Sequence, residues 1–94
     1  MNNIQKTYAK AKAAYETAFK MARWDLVDQL EDPMLDAEFA LVDWAFTVAI
    51  ASGEMSQADA DLLRRNSSGD QWEKLVDLAF RMNAKQAEGI LAGA

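Results

Sequence analysis

The stretch Pro33–Ala51, PMLDAEFALVDWAFTVAIA, decides the fold that we predict for this chain. From Phe39 onward it contains only two polar residues, Asp43 and Thr47, which lie four positions apart and therefore share one face of a helix. Apolar residues occupy the rest of the circumference. A helix of this kind has to be covered on several sides, so the stretch predicts the central helix of a small helical bundle.

The composition favours one all-helical domain without catalytic chemistry. The chain has 94 residues, of which 51% are hydrophobic, and it has one proline and four glycines. No run of alternating β-branched residues indicates a strand. The absence of cysteine and histidine removes the thiol nucleophile, the commonest general base and the commonest zinc ligand. We therefore expect no enzyme activity, no cofactor and no metal site.

Periodicity and capping signals divide the chain into four predicted helices. Apolar residues recur at steps of three and four from Ile4 to Leu30, and Asp32-Pro33 then combines a capping residue with a favoured first helical residue. The fold class is therefore an all-α four-helix bundle with a long N-terminal helix, a central apolar helix, a short third helix and an amphipathic fourth helix. The predicted ranges are 3–31, 33–51, 57–65 and 70–86 within a single domain 1–94, and we expect the tail, 87–94, to be mobile.

Charge is strongly segregated along the chain. Residues 1–24 carry an excess of lysine and arginine, whereas residues 25–61 carry ten carboxylates and no basic residue. A tight turn at Asp32-Pro33 would fold the first two helices into an antiparallel hairpin. Six carboxylates would then gather at one end of the molecule: Asp25, Asp28, Glu31, Asp32, Asp36 and Glu38.

The acidic end has three interpretations. It is a solvated tip that keeps the protein soluble, a docking surface for a basic partner, or a divalent-cation site. The last is disfavoured because no acidic loop of the calcium-binding kind is present.

Trp24 has two interpretations, because it lies off the apolar stripe of the first helix. The helix restarts near Asp25 and turns Trp24 inward, or Trp24 is an exposed anchor for a partner.

These patterns favour a small acidic protein that acts by binding another protein. The sharper hypothesis is an inhibitor or adaptor, of the kind that phages use against host defence proteins, that occupies a basic or nucleic-acid-binding surface of its partner. Its partner-binding residues would be Trp24 and the six carboxylates. The first alternative is a self-associating subunit, such as a homodimer, and the second is a nucleic-acid-binding regulator that uses the basic N-terminal helix.

Hydropathy indicates where the protein is located, and net charge indicates whether it binds nucleic acid directly. The longest apolar run is shorter than the roughly 20 residues that a membrane-spanning helix needs. The N-terminus has no apolar segment of signal-peptide length. We therefore expect a cytoplasmic protein with no membrane partner. Direct nucleic-acid binding is disfavoured, because a sequence pI of about 4.5 opposes phosphate.

Overall fold

A computed structural model describes residues 1–93, and these residues form five α-helices without a strand. The helices are α1 (Asn3–Lys20), α2 (Trp24–Ser52), α3 (Gln57–Asn66), α4 (Gly69–Arg81) and α5 (Ala84–Ala92). The all-α prediction is confirmed. The structure has five helices where four were predicted. The chain breaks at residues 21–23 and 82–83, where no break was predicted, and it continues as a helix through residues 32–33, where a break was predicted.

The chain divides into two compact units. The first is Met1–Leu41, which contains α1 and the first part of α2, and the second begins at Val42 and contains the rest of α2 and α3 to α5. The single domain remains a prediction, which the cooperativity of unfolding tests.

The first helix ends eleven residues earlier than predicted, at Lys20, through hydrogen bonds of the Schellman type. The amide of Ala22 donates to the carbonyl of Phe19 at 3.1 Å, and the amide of Arg23 donates to that of Ala18 at 3.0 Å. Ala22 has a φ of 53°, in the left-handed region where glycine is usual. The sequence gives no glycine or proline signal here, which is why the break escaped prediction.

Pro33 lies inside α2 instead of opening a helix. A proline in a helix interior removes one backbone donor, so the carbonyl of Gln29 has no amide four residues on. Pro33 and Gln29 are both exposed, and at an exposed position water can satisfy such a carbonyl. The predicted turn at 32–33 is therefore wrong, and Asp32 is an interior helical residue rather than a cap.

Unit one is a helical hairpin whose turn is at residues 21–23. Asn3, Ile4 and Thr7 of α1 line the same small surface depression as Ala37 and Ala40 of α2, so the two helices run antiparallel. The core of this unit contains small and medium apolar side chains, together with Tyr8 and Gln5. Gln5 is buried and closes a capping box: its side chain accepts from the amide of Asn2, and the Asn2 side chain accepts from its amide.

The second part of α2 supplies most of the core of unit two. Its buried side chains are Val42, Trp44, Phe46 and Val48, whereas Asp43 and Thr47 are exposed on one face. Asp43 forms an ion pair with Arg64 of α3 at 2.7 Å. The Arg64 guanidinium also lies 5.3 Å from the centre of the Phe46 ring, in a cation–π arrangement. Arg64 thus connects α3 to both the polar face and the core face of α2.

The C-terminal part of the chain is more helical than predicted. Helix α4 ends at Arg81, and Asn83 caps α5 by accepting a 3.0 Å hydrogen bond from the amide of Gln86. Residues 84–92, predicted as a helix end and a mobile tail, are one helix, while residue 94 lies outside the described residues. Helix α4 begins at Gly69, one residue before the predicted start, so Asp70 stands in its first turn.

Substitutions at the two left-handed positions test the helix breaks. Gly53 ends α2 with the same hydrogen-bond pattern as Ala22 and has a φ of 83°. We expect Ala22→Gly to raise the free energy of unfolding by about 0.5–1 kcal/mol, because glycine takes a positive φ without steric cost. Gly53→Ala should lower it by about 1 kcal/mol, since no atom lies within 4 Å of the added Cβ and only backbone strain remains. Urea melts measure both, and destabilisation by Ala22→Gly would contradict the assigned break.

Substitutions in the second part of α2 test its face assignment. Phe46 is 4% exposed, so Phe46→Ala should cost about 3–5 kcal/mol through the cavity that it leaves. Thr47→Ala, one residue along on the exposed face, should change stability by less than about 0.5 kcal/mol. Equal losses in the two variants would show that the faces are misassigned.

Candidate functional site

Helix α2 is the acidic element of the molecule. Its 29 residues contain seven carboxylates and no lysine or arginine. Six of the seven are the residues predicted to bind a partner, and all six lie in unit one, between Asp25 and Glu38. The structure places them along one continuous helix rather than at a hairpin end. They span about 20 Å along the helix axis, so the predicted crowded tip does not form.

One face of α2 combines carboxylates with large apolar side chains. Trp24, Asp28, Glu31, Leu35 and Phe39 follow one another at steps of four, three, four and four, so they lie within a narrow stripe of the helix surface. Asp32 and Asp36 lie along its edge. All seven residues are exposed. We call this set the α2 face, and it consists of Trp24, Asp28, Glu31, Asp32, Leu35, Asp36 and Phe39.

Asp25 belongs to the turn more than to this face. Its carboxylate accepts two hydrogen bonds of 3.4 Å from the guanidinium of Arg23, and both side chains are more than half exposed. The Arg23 hydrogen bond, aided by the amide of Leu26, lowers the pKa of Asp25. Asp25 also stands in the first turn of α2, where the helix dipole favours a negative charge. The charge of Asp25 is thus compensated within the turn.

Glu38 faces α1 and is half-buried. Burial raises the pKa of the Tyr8 hydroxyl, the nearby Lys12 ammonium opposes that rise, and the charge of Glu38 adds to it. Glu38 is therefore close enough to act on a buried side chain of the neighbouring helix. It contributes to the hairpin of unit one, and its part in partner binding stays a prediction.

The remaining carboxylates, Asp28, Glu31, Asp32 and Asp36, form no ion pair among the described residues. Asp28, Asp32 and Asp36 are spaced four residues apart, so each neighbouring pair repels across one helical turn. Such pairs destabilise a helix by roughly 0.2–0.5 kcal/mol each. The face thus carries a negative charge that its own chain leaves uncompensated.

Trp24 is exposed, at 56% of its surface, so the inward orientation is wrong although the helix does restart beside it. Its ring packs edge-on against Phe19, with ring centres 5.3 Å apart, and Phe19 stacks on Tyr15 at 6.4 Å. Phe19 is itself 54% exposed. The turn of the hairpin therefore presents two adjacent aromatic rings at one end of the α2 face.

Sequence reasoning missed Leu35 and Phe39 as surface residues. Both were assigned to the covered girth of the central helix, yet they are 37% and 53% exposed. Leu35 and Phe39 share a face with Trp24 only when one helix runs from Trp24 through Pro33. The sequence signal at Pro33 predicts a helix boundary there, so the shared face was not predicted. Phe19 belongs to the apolar residues that recur from Ile4 to Leu30 in the predicted first helix, yet it is 54% exposed.

Other concave features offer less chemistry. A groove of about 330 Å³ in unit two is lined by the second part of α2, the turn after it, and α5, and among the described lining residues Glu54 alone is ionisable. Among residues 1–93, no group of three or more histidine, cysteine, aspartate or glutamate side chains is placed to hold a metal ion. Within the same range, no helix has the length and hydropathy needed to cross a membrane.

Comparison with protein-family models, curated proteins and solved structures finds no match to this chain.

Charge reversal at Asp32 tests the repulsion along the α2 face. Asp32→Lys replaces two repulsive contacts, with Asp28 and Asp36, by two attractive ones, and should raise the free energy of unfolding by about 1 kcal/mol. Asp32→Asn should raise it by about half as much, and 1 M NaCl should reduce both gains. Denaturant melts at two salt concentrations measure this. If Asp32 were a helix cap, Asp32→Lys would instead cost about 1 kcal/mol.

Proposed function

We propose that this protein acts by binding another protein through the α2 face. The observation that carries the proposal is the row of exposed, uncompensated carboxylates, Asp28, Glu31, Asp32 and Asp36, interleaved with exposed apolar side chains. A solvated acidic surface has no need of large apolar residues between its charges. A partner that brings basic and apolar groups to the same face would relieve the repulsion and cover the apolar area.

The two kinds of residue have separate roles in such binding. The carboxylates attract a basic partner over about 10 Å at moderate salt and so accelerate association. Trp24 and its neighbour Phe19, at the turn, supply rigid aromatic area of the kind that dominates interface energies. Charge would set the rate of encounter, and the aromatic rings would set the lifetime of the complex.

The biological role that we propose is that of a non-enzymatic inhibitor or adaptor. An acidic helix that covers a basic surface competes with whatever that surface normally binds, including nucleic acid. Phage proteins that block host defence proteins are a class with this kind of action, and we propose the same type here, acting in the cytoplasm. The support is the charge and shape of the α2 face.

Self-association is the second candidate, because Phe19, Trp24, Leu35 and Phe39 expose apolar surface that a second copy could cover. Sedimentation over a range of micromolar concentrations tests it. A strict monomer would remove this candidate, and a dimer that dissociates in the Trp24→Ala variant would favour it over a separate partner.

The main proposal is tested by neutralising two carboxylates of the face. Asp28→Asn with Glu31→Gln should leave the helix content unchanged, because both positions are exposed. The same change should slow association with the partner by about tenfold at 50 mM salt and by much less at 500 mM. The partner is first isolated from lysate of the source cells on the immobilised protein, and its association rate is then measured with purified components.

The matched control is Glu54→Gln with Asp59→Asn, which removes the same charge from exposed positions of unit two. It should leave the association rate within about twofold, since net charge alone has a small effect. Equal association rates for the wild type and the Asp28/Glu31 variant would contradict the proposed function.

A further inference from the structure

The α2 face is long, which restricts the shape of what can cover it. Trp24 and Phe39 mark its two ends, about 22 Å apart along the helix axis. Its first four seam residues, Trp24, Asp28, Glu31 and Leu35, follow the alternating steps of four and three that characterise the seam of a coiled coil. Such a seam is complementary to a second helix of about four turns lying along it.

Charge decides which kind of helix fits. Two seam positions, Asp28 and Glu31, are carboxylates, and Asp32 and Asp36 flank the seam on one side. An apolar helix would bury these charges without partners, which is costly. A helix with lysine or arginine opposite the carboxylates and apolar side chains opposite Trp24, Leu35 and Phe39 satisfies both kinds of group.

A second copy of this chain does not meet that requirement. Two α2 faces would bring carboxylates against carboxylates, since α2 has no basic residue. The basic helix α1 supplies charge, but the side that carries Lys6, Lys10 and Lys20 has only Ala13 and Thr17 between them. That side offers no large apolar residue to cover Leu35 and Phe39.

We infer that the α2 face binds a basic amphipathic helix of a partner protein, packed along α2 from Trp24 to Phe39. The inference rests on the proposed function and adds the form of the partner. Apolar contacts at Leu35 and Phe39 provide the alignment along the face, and the carboxylates provide the preference for a basic sequence.

Synthetic peptides provide the probe for this inference. The first is an 18-residue helix with leucine placed opposite Trp24, Leu35 and Phe39 and lysine placed opposite the carboxylates; the second is a scrambled sequence of the same composition; the third is oligolysine of equal charge. Each carries a fluorescent label, and binding to the intact protein is measured by anisotropy at 50 and 300 mM salt. We expect the amphipathic peptide to bind at least about tenfold more tightly than either control.

Variants of the protein assign the binding to the face. Leu35→Ala with Phe39→Ala should lower the affinity for the amphipathic peptide by about tenfold and leave the salt dependence of binding unchanged. Asp28→Asn with Glu31→Gln should weaken it about fivefold at low salt and flatten the salt dependence. Glu54→Gln with Asp59→Asn should have no effect. If circular dichroism shows lost helix in the Leu35/Phe39 variant, Trp24→Ala at the other end of the face replaces it.

The outcomes separate this inference from the proposed function. Equal binding of the three peptides, still reduced by the Asp28/Glu31 variant, would overturn the helical partner and leave an acidic docking surface. Binding of the amphipathic peptide that is insensitive to both α2 variants would overturn the inference and the proposed function together. Peptide-free self-association that is lost in the Leu35/Phe39 variant would assign the face to a second copy and overturn the inference.

Discussion

The left-handed conformation of Ala22 is the constraint on which the rest of unit one depends. It stops α1 at Lys20, satisfies the last carbonyls of that helix and reverses the chain within three residues. Because the reversal comes so early, α2 begins at Trp24 and has 29 residues in which to carry the acidic segment. An alanine in this conformation is strained relative to glycine, and the backbone hydrogen bonds of the turn keep Ala22 in it. A break placed ten residues later would have folded the same carboxylates against one another.

The early start of α2 also changes how its carboxylates interact with the helix dipole. At the end of a first helix, Asp28 would have opposed the helix dipole, whereas in α2 it lies beyond the first turn, and Asp25 within that turn is favoured by the dipole. The cost that remains is the mutual repulsion of Asp28, Asp32 and Asp36 along one side. A basic helix bound to the α2 face would turn that cost into attraction, which is how a locally unfavourable charge row becomes an affinity for a particular class of partner.

Sequence reasoning reached the helical class, the polar strip of Asp43 and Thr47, and the acidic character of the segment before Asp43. It placed the first break wrongly for an identifiable reason. Proline is common at the first position of a helix and rare in its interior, so Asp32-Pro33 is the stronger signal for a helix boundary. The turn at residues 21–23 gives a weaker signal, because its left-handed residue is an alanine and not a glycine. Burial around Trp24, Leu35 and Phe39 depends on which helices pack beside them, and periodicity does not contain that information. The continuous helix, once known, explains their common face directly.

The distance between Asp25 and Ala40 tests the continuity of α2 most directly. Both residues are exposed, and the chain has no cysteine, so Asp25→Cys with Ala40→Cys takes two spin labels at defined positions. A continuous helix through Pro33 predicts a separation of about 22 Å between the two backbone positions, measured by pulsed electron spin resonance after allowance for the label arms. A hairpin with its turn at 32–33 would place the same positions side by side, about 10 Å apart. The longer distance is the result that this account requires, and the shorter one would contradict both the fold of unit one and the α2 face.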